Sequence, residues 1–164
     1  MASTMNYRIL GTFAAVSLLL AGCAHNPAPT TASSGSGAAA TSTGIAPGSQ
    51  EDLVTNVGDR VFFSLNQSNL SEEAKTTLGK QSAWLQRYPQ VSVQIAGNCD
   101  DRGTEEYNIA LGQRRANAAR DFLVAHGVAD SRISTISYGK DRPVAEGDTE
   151  EAWSQNRNAT TSVK

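Results

Sequence analysis

Two histidines, His25 and His126, serve all 164 residues. His25 falls in a polar stretch behind the leader and His126 near the end of an expected helix, so neither is placed to activate a nucleophile. Ser64 and Cys99 have no base beside them, and Asp100 with Asp101 makes a thin acid–base pair. An enzyme is not expected, and no catalytic residue is assigned. Charge of one sign is scarce as well. The formal net charge is −2, which gives a nucleic-acid partner no electrostatic support. The segment Asn98-Cys99-Asp100-Asp101 mixes two hard carboxylates with one soft thiol, a poor metal site, so neither a metal nor a cofactor is expected. Long apolar runs are missing too. The stretch Ile9 to Leu20 falls short of the ~20 residues that cross a bilayer comfortably, so a cleaved signal peptide is the better reading.

The leader has one basic residue, Arg8, and ends in Leu20-Ala21-Gly22-Cys23, small residues directly before a cysteine. This ending resembles the lipobox, whose cysteine is lipidated and becomes the mature N-terminus. The resemblance implies a lipoprotein signal peptide over 1–22 and lipidation at Cys23. A single acyl chain holds a protein only marginally, whereas two or more, at ~0.8 kcal/mol per buried CH₂, hold it stably. Ala24 follows Cys23, where an aspartate often signals inner-membrane retention, so the outer membrane is the expected destination. With Cys23 a thioether, Cys99 has no partner and no intramolecular disulfide is available. Packing in a tight loop is then the expected role of Cys99.

Residues 23–50 form the expected lipidated linker. They are rich in Ala, Ser, Thr, Gly and Pro, with few charges and few large apolar groups. Such a segment cannot bury enough surface to offset its ordering entropy, so a disordered N-terminal tether is expected. Coil of that composition has an r.m.s. span of ~30 Å and reaches ~90 Å when taut.

The remaining residues, 51–164, read as one domain whose regular structure begins near Asn56. Arg60-Val61-Phe62-Phe63 suits a short strand. Ser71 reads as an N-cap with Glu72 and Glu73 in the first turn, and Pro89 stops that helix. Val91, Val93 and Ile95 alternate with polar residues, the pattern of a half-buried strand. A long helix opens at Thr104 and runs to about His126, before Gly127, with Tyr107, Leu111, Ala118 and Phe122 as its expected core stripe. Ile133 to Gly139 forms a third strand, Glu150 to Asn156 a short helix, and Ala159 to Lys164 a weak final strand. Alternating strands and helices with one sheet predict an α/β (α+β) two-layer sandwich with helices on one face.

The run Gly97 to Leu123, GNCDDRGTEEYNIALGQRRANAARDFL, carries the functional signal. It reads as a strand end, an acidic loop and an amphipathic helix. At 100° per residue, Thr104, Asn108 and Arg115 share one side of that helix, and the loop must bring Asp100 near it. A carboxylate and a guanidinium on neighbouring elements suit a ligand with both an ammonium and a carboxylate. The bland reading is a solvated surface pair.

The wording D-x-R-G-T-x-x-Y-N-x-x-L-G-x-R-R-A resembles the OmpA-like domain family over roughly residues 56–157, and most closely its lipid-anchored members. The resemblance implies a βαβαβ domain with a mixed sheet that binds the diaminopimelate of peptidoglycan non-covalently. By residue, Asp100 accepts from the ligand ammonium, Arg115 clamps a ligand carboxylate, and Asn108 holds the loop or touches the stem peptide. Thr104 and Asn66 complete the implied site. The family members of this kind sit in the outer membrane with the domain in the periplasm. They engage TolB and TolA of the Tol envelope system, with roles in cell division and outer-membrane integrity. Departures stand at Ser64 and Asn66, where acids are usual, at Asn98, where histidine is usual, and at Asn158 in a C-terminal Asn-Arg-Arg motif. The first three are expected at the pocket rim, and binding weaker than typical follows from them. The alternative reading is a protein-interaction module, a partner of TolB and TolA, with peptidoglycan binding weakened or lost.

Overall fold

The computed structural model describes residues 44–164. The leader over 1–22, Cys23 and the linker as far as residue 43 lie outside the described residues.

Ser49 opens the fold. Its hydroxyl accepts from the Asp52 N–H and caps α1 (Gln50–Asp52), which continues as a wider π-helical turn over Leu53–Val57. The Asp52 carboxylate accepts from Asn56 Nδ2, the Gly48 N–H and Trp84 Nε1. These donors, Asn56 first, hold its carboxyl below the usual aspartate range. Leu53 beside it is fully buried. Regular structure therefore starts ahead of Asn56, because a short polar segment can pack once its one buried acid is satisfied.

Strand β1 (Arg60–Phe62) leads to α2 (Glu72–Arg87), where the Ser71 hydroxyl accepts from the Ala74 N–H as expected. Then follow β2 (Val93–Asn98), α3 (Glu105–Ala125), β3 (Ile133–Gly139), α4 (Glu150–Asn156) and β4 (Asn158–Val163). The strands form one mixed sheet in the order β1-β4-β2-β3, with β2 parallel to β3 and β4 antiparallel to both its neighbours. With α2 and α3 packed on one face, this is the two-layer α+β sandwich anticipated. The final strand is central, whereas its weak apolar pattern suggested a marginal one. Its polar residues are satisfied internally: Thr161, buried, donates from Oγ1 to Gln81 Oε1 at 2.9 Å, and Thr160 Oγ1 donates to Asn158 Oδ1 at 3.0 Å.

The core stripe of α3 is turned by one residue from the expected one. Asn108, Leu111, Gly112, Arg115, Ala116, Ala119 and Leu123 are buried, while Tyr107 is 42% exposed and Ala118 and Phe122 are half-buried. Close approach to the sheet explains the turn. A Cβ on Gly97 would stand 1.8 Å from the Gly112 carbonyl oxygen, and one on Gly112 would stand 2.3 Å from Ser137 Oγ. The helix presents small residues where its backbone meets β2 and carries two polar ones, Asn108 and Arg115, on the same side. Both are among the candidate site residues.

Candidate functional site

The acidic loop starts where β2 ends. A register shift at Gly97/Asn98 frees the chain from its regular pairing, although the Cys99 N–H still donates to the Gly139 carbonyl at 2.7 Å. Gly103, at φ +88°, makes the turn into α3 that a side chain would strain. The Thr104 hydroxyl then accepts from the Tyr107 N–H at 3.3 Å and caps the helix.

This loop folds Asp100 inward. Its Oδ2 accepts from Arg102 Nη2 at 2.5 Å and from Arg157 Nη1 at 3.3 Å. Burial pushes the Asp100 carboxyl up, but the Arg102 hydrogen bond and charge, and then the Arg157 hydrogen bond, outweigh it and hold the pKa below the ordinary aspartate value. Arg157 comes from the junction of α4 and β4 and is itself buried. It donates to the Phe63 carbonyl and, at 2.5 Å, to Glu150 Oε1. Arg102 is only partly covered, and its guanidinium lies 3.9 Å from the Trp153 ring centroid.

Arg115 takes no part in that ion cluster. It is 0% exposed and donates to three backbone carbonyls: Gln67 from Nε (2.8 Å), Asn98 from Nη1 (2.8 Å) and Ser64 from Nη2 (3.2 Å). A longer bond from Nη1 reaches Cys99 Sγ at 3.4 Å. Arg115 therefore ties the loop after β1 to the end of β2. Four of its five donors are used, and no bond goes to a carboxylate. Burial lowers its pKa from the ordinary arginine value, yet a guanidinium stays protonated throughout the accessible range. Leu65, Asn66, Arg102, Gly103 and Tyr107 line an open hollow of about 320 Å³, which neither Arg115 nor Asp100 borders. A larger groove of about 550 Å³ lies on the other side of the same loop, lined among others by Phe62, Phe63 and Arg157. We place the candidate site in the smaller of these two, because Arg102, the partly exposed partner of Asp100, lines it.

The five residues expected at the site thus fall into two sets. Asn66, in the left-handed region at φ 56°, is exposed at the hollow, and Thr104 is exposed at the head of α3, its hydroxyl engaged in the cap. Asp100, Arg115 and Asn108 are buried and do not line the hollow. Asn108 holds the loop by donating from Nδ2 to the Arg102 carbonyl at 2.8 Å. The bland reading of a solvated Asp100–Arg115 pair does not hold, since both are buried and each bonds elsewhere. Asn98 is also not at the rim. It is buried and donates from Nδ2 to Asn158 Oδ1 at 2.8 Å, so two of the departures meet each other inside the sheet. Cys99 packs as expected: its thiol donates to the Asn108 carbonyl at 3.3 Å, and burial pushes its pKa up. Arg102, Arg157, Glu150 and Trp153 were missed. Periodicity cannot pair residues 57 apart such as Asp100 and Arg157, and only the arginines in D-x-R-G and Asn156-Arg157 gave any signal.

Comparison with known proteins places the chain in a family. The OmpA family model matches residues 62–157. The chain is 50% identical over 150 residues to the peptidoglycan-associated lipoprotein of Mesorhizobium japonicum, covering 89% of this chain and 86% of that protein. It is 53% identical over 148 residues to the protein of the same name from Brucella melitensis, with the same coverages. The crystal structure of the peptidoglycan-associated lipoprotein from Burkholderia pseudomallei superposes with a TM-score of 0.63 at 39% identity, covering 65% of this chain and 90% of that one. The C-terminal domain of Helicobacter pylori MotB, at 21% identity and a TM-score of 0.61 over 65% of this chain and 84% of that one, shares the fold.

Proposed function

Since the chain belongs to the OmpA family and, within it, to the peptidoglycan-associated lipoproteins, we propose that it tethers the outer membrane to the cell wall. Cys23 carries the lipid anchor after removal of residues 1–22, residues 23–50 span the gap, and residues 51–164 bind diaminopimelate stem peptides from the periplasmic side. The described residues contain no helix long and apolar enough to cross a membrane, and a lipid anchor asks for none.

The observation that carries the reading is a pair of opposite buried charges, Asp100 and Arg115, bonded to the two loops whose residues line one open hollow. Asp100 offers a carboxylate to an ammonium, while Arg115, a guanidinium that makes no ion pair, offers its charge and one unused N–H to a carboxylate. A zwitterionic head satisfies both at once, whereas a simple cation or anion satisfies one. Asn66 and the exposed edge of Tyr107 border the hollow and contact the rest of the stem. Thr104 and Asn108 set the loop that places Asp100.

Partners TolB and TolA complete the role as part of the Tol–Pal envelope system in cell division and outer-membrane integrity. Phe62 is 50% exposed and Leu65 nearly as much, and these apolar residues flank the loop that borders the hollow. A protein seated on them would compete with peptidoglycan.

The test is sedimentation of the full chain with diaminopimelate-type sacculi. Asp100→Ala is expected to weaken binding by roughly tenfold to a hundredfold, taking ~1.5–3 kcal/mol for a charge-assisted hydrogen bond. Unchanged binding by a folded Asp100→Ala variant rules out the site.

A further inference from the structure

Two guanidinium groups share one oxygen of Asp100, and they are held very differently. Arg157 is buried and fixed by the Phe63 carbonyl and Glu150, so it has nowhere to go. Arg102 lies on the solvent side and lines the hollow. Its Nε is buried with no hydrogen-bond partner. The nitrogen bonded to Asp100 stands only 3.9 Å from a second acid, Glu150 Oε2. Its guanidinium rests 3.9 Å from the Trp153 ring centroid, an apolar surface along which a planar cation slides without losing contact. The Arg102 backbone, meanwhile, is pinned through its carbonyl by Asn108.

A carboxylate already served by two arginines has no use for a third cation. An incoming ammonium would crowd three positive charges around one acid in a partly desolvated site, and like charges at that range repel strongly. One cation must leave, and only Arg102 can.

We propose that Arg102 is the built-in competitor of the ligand: it occupies the Asp100 carboxylate in the free protein and yields it to the ligand ammonium, passing to Glu150 across the face of Trp153. This inference rests on the binding site proposed above. It makes Arg102 a specificity residue, because a ligand cation enters only by outcompeting a tethered guanidinium. Ligands that also satisfy Arg115 have that advantage, and monovalent amines lack it.

The test titrates the full chain, in detergent, with a soluble stem tripeptide ending in diaminopimelate, and follows both affinity and tryptophan fluorescence. Arg102→Gln removes the competitor and is expected to bind about three- to tenfold more tightly, while Arg102→Lys keeps a cation and stays within about twofold of the parent chain. A residue that merely braced the loop would give the opposite sign, with weaker binding in Arg102→Gln. Saturating ligand is expected to change the emission of the parent chain, and this change disappears in Trp153→Phe, which leaves Trp84 in place. The fluorescence arm involves no change at Arg102, so it stands even where the glutamine variant fails to fold. Equal or weaker binding by folded Arg102→Gln, or an emission change that survives Trp153→Phe, overturns the exchange. Loss of binding in Asp100→Ala alongside that result leaves the site intact and sinks the exchange alone. A parent chain that ignores the peptide sinks both.

Discussion

At the scale of single residues, the site is built from charges whose partners are unequal. Asp100 has two cations and Arg115 has no acid, although both sit below one surface. This asymmetry sets a pH dependence. The folded-state pKa of Asp100 is depressed, so the unfolded chain takes up its proton first as the medium is acidified. The stability contributed by Asp100 is fully present above the ordinary aspartate value of ~3.9 and disappears as pH falls through the lowered folded value. Urea unfolding of the parent chain is therefore expected to weaken more steeply below about pH 4 than that of Asp100→Asn. Parallel profiles would mean that the arginines do not act on this carboxyl. The motif marked Asp100 and Arg115 as candidate residues in the sequence, and both bond to the loop that follows β2 or to its start. Their burial was not legible. It depends on Arg157, Glu150 and Trp153 arriving from a segment some fifty residues further on, and on backbone carbonyls that no side-chain pattern records.

At the scale of elements, caps and stops were readable because each is local. Ser71 and Thr104, the two expected helix starts, accept from the N–H three residues on at α2 and α3, and Thr149, which the sequence reading did not single out, does the same at α4. The phase of α3 was not readable. Counting apolar residues favours Tyr107 and Phe122, whereas the sheet selects Gly112, Ala116 and Ala119, because backbone approach at Gly97 leaves no room for more. Phe122 instead stacks on His126 at a centroid distance of 3.9 Å, half-buried. Leu123→Ala is thus expected to cost about 2–5 kcal/mol as a fully buried truncation, and Phe122→Ala less than about 2 kcal/mol. Chemical denaturation of both variants checks the order, and a reversed order would restore the apolar-count stripe. Arg132 shows the same limit in another place. It donates to the carbonyls of Val91, Leu85 and Tyr88 and so closes the end of α2 against the start of β2, a contact over some forty residues that pattern alone does not foretell.

At the scale of the whole molecule, the domain is a sheet whose last strand lies between its first two, so the chain end is locked into the centre rather than left at an edge. The order of elements and the mixed sheet follow from the alternating pattern and the family wording. The central place of β4 does not, since its Asn, Thr and Ser residues look like those of a marginal strand until Gln81, Asn98 and Thr160 are seen to satisfy them. The central claim joins the two ends of the chain: a lipid at Cys23 and a grip at Asp100. It is tested most directly by loading the acylated full chain into outer-membrane lipid vesicles and sedimenting them with purified sacculi. Vesicles carrying the parent chain are expected to sediment with diaminopimelate-type sacculi and not with lysine-type sacculi, and to be released by free diaminopimelate. With Asp100→Ala the vesicles stay in the supernatant, and with Cys23→Ser the protein sediments while the vesicles do not. Vesicles that sediment equally with Asp100→Ala, or equally on lysine-type sacculi, would contradict the account.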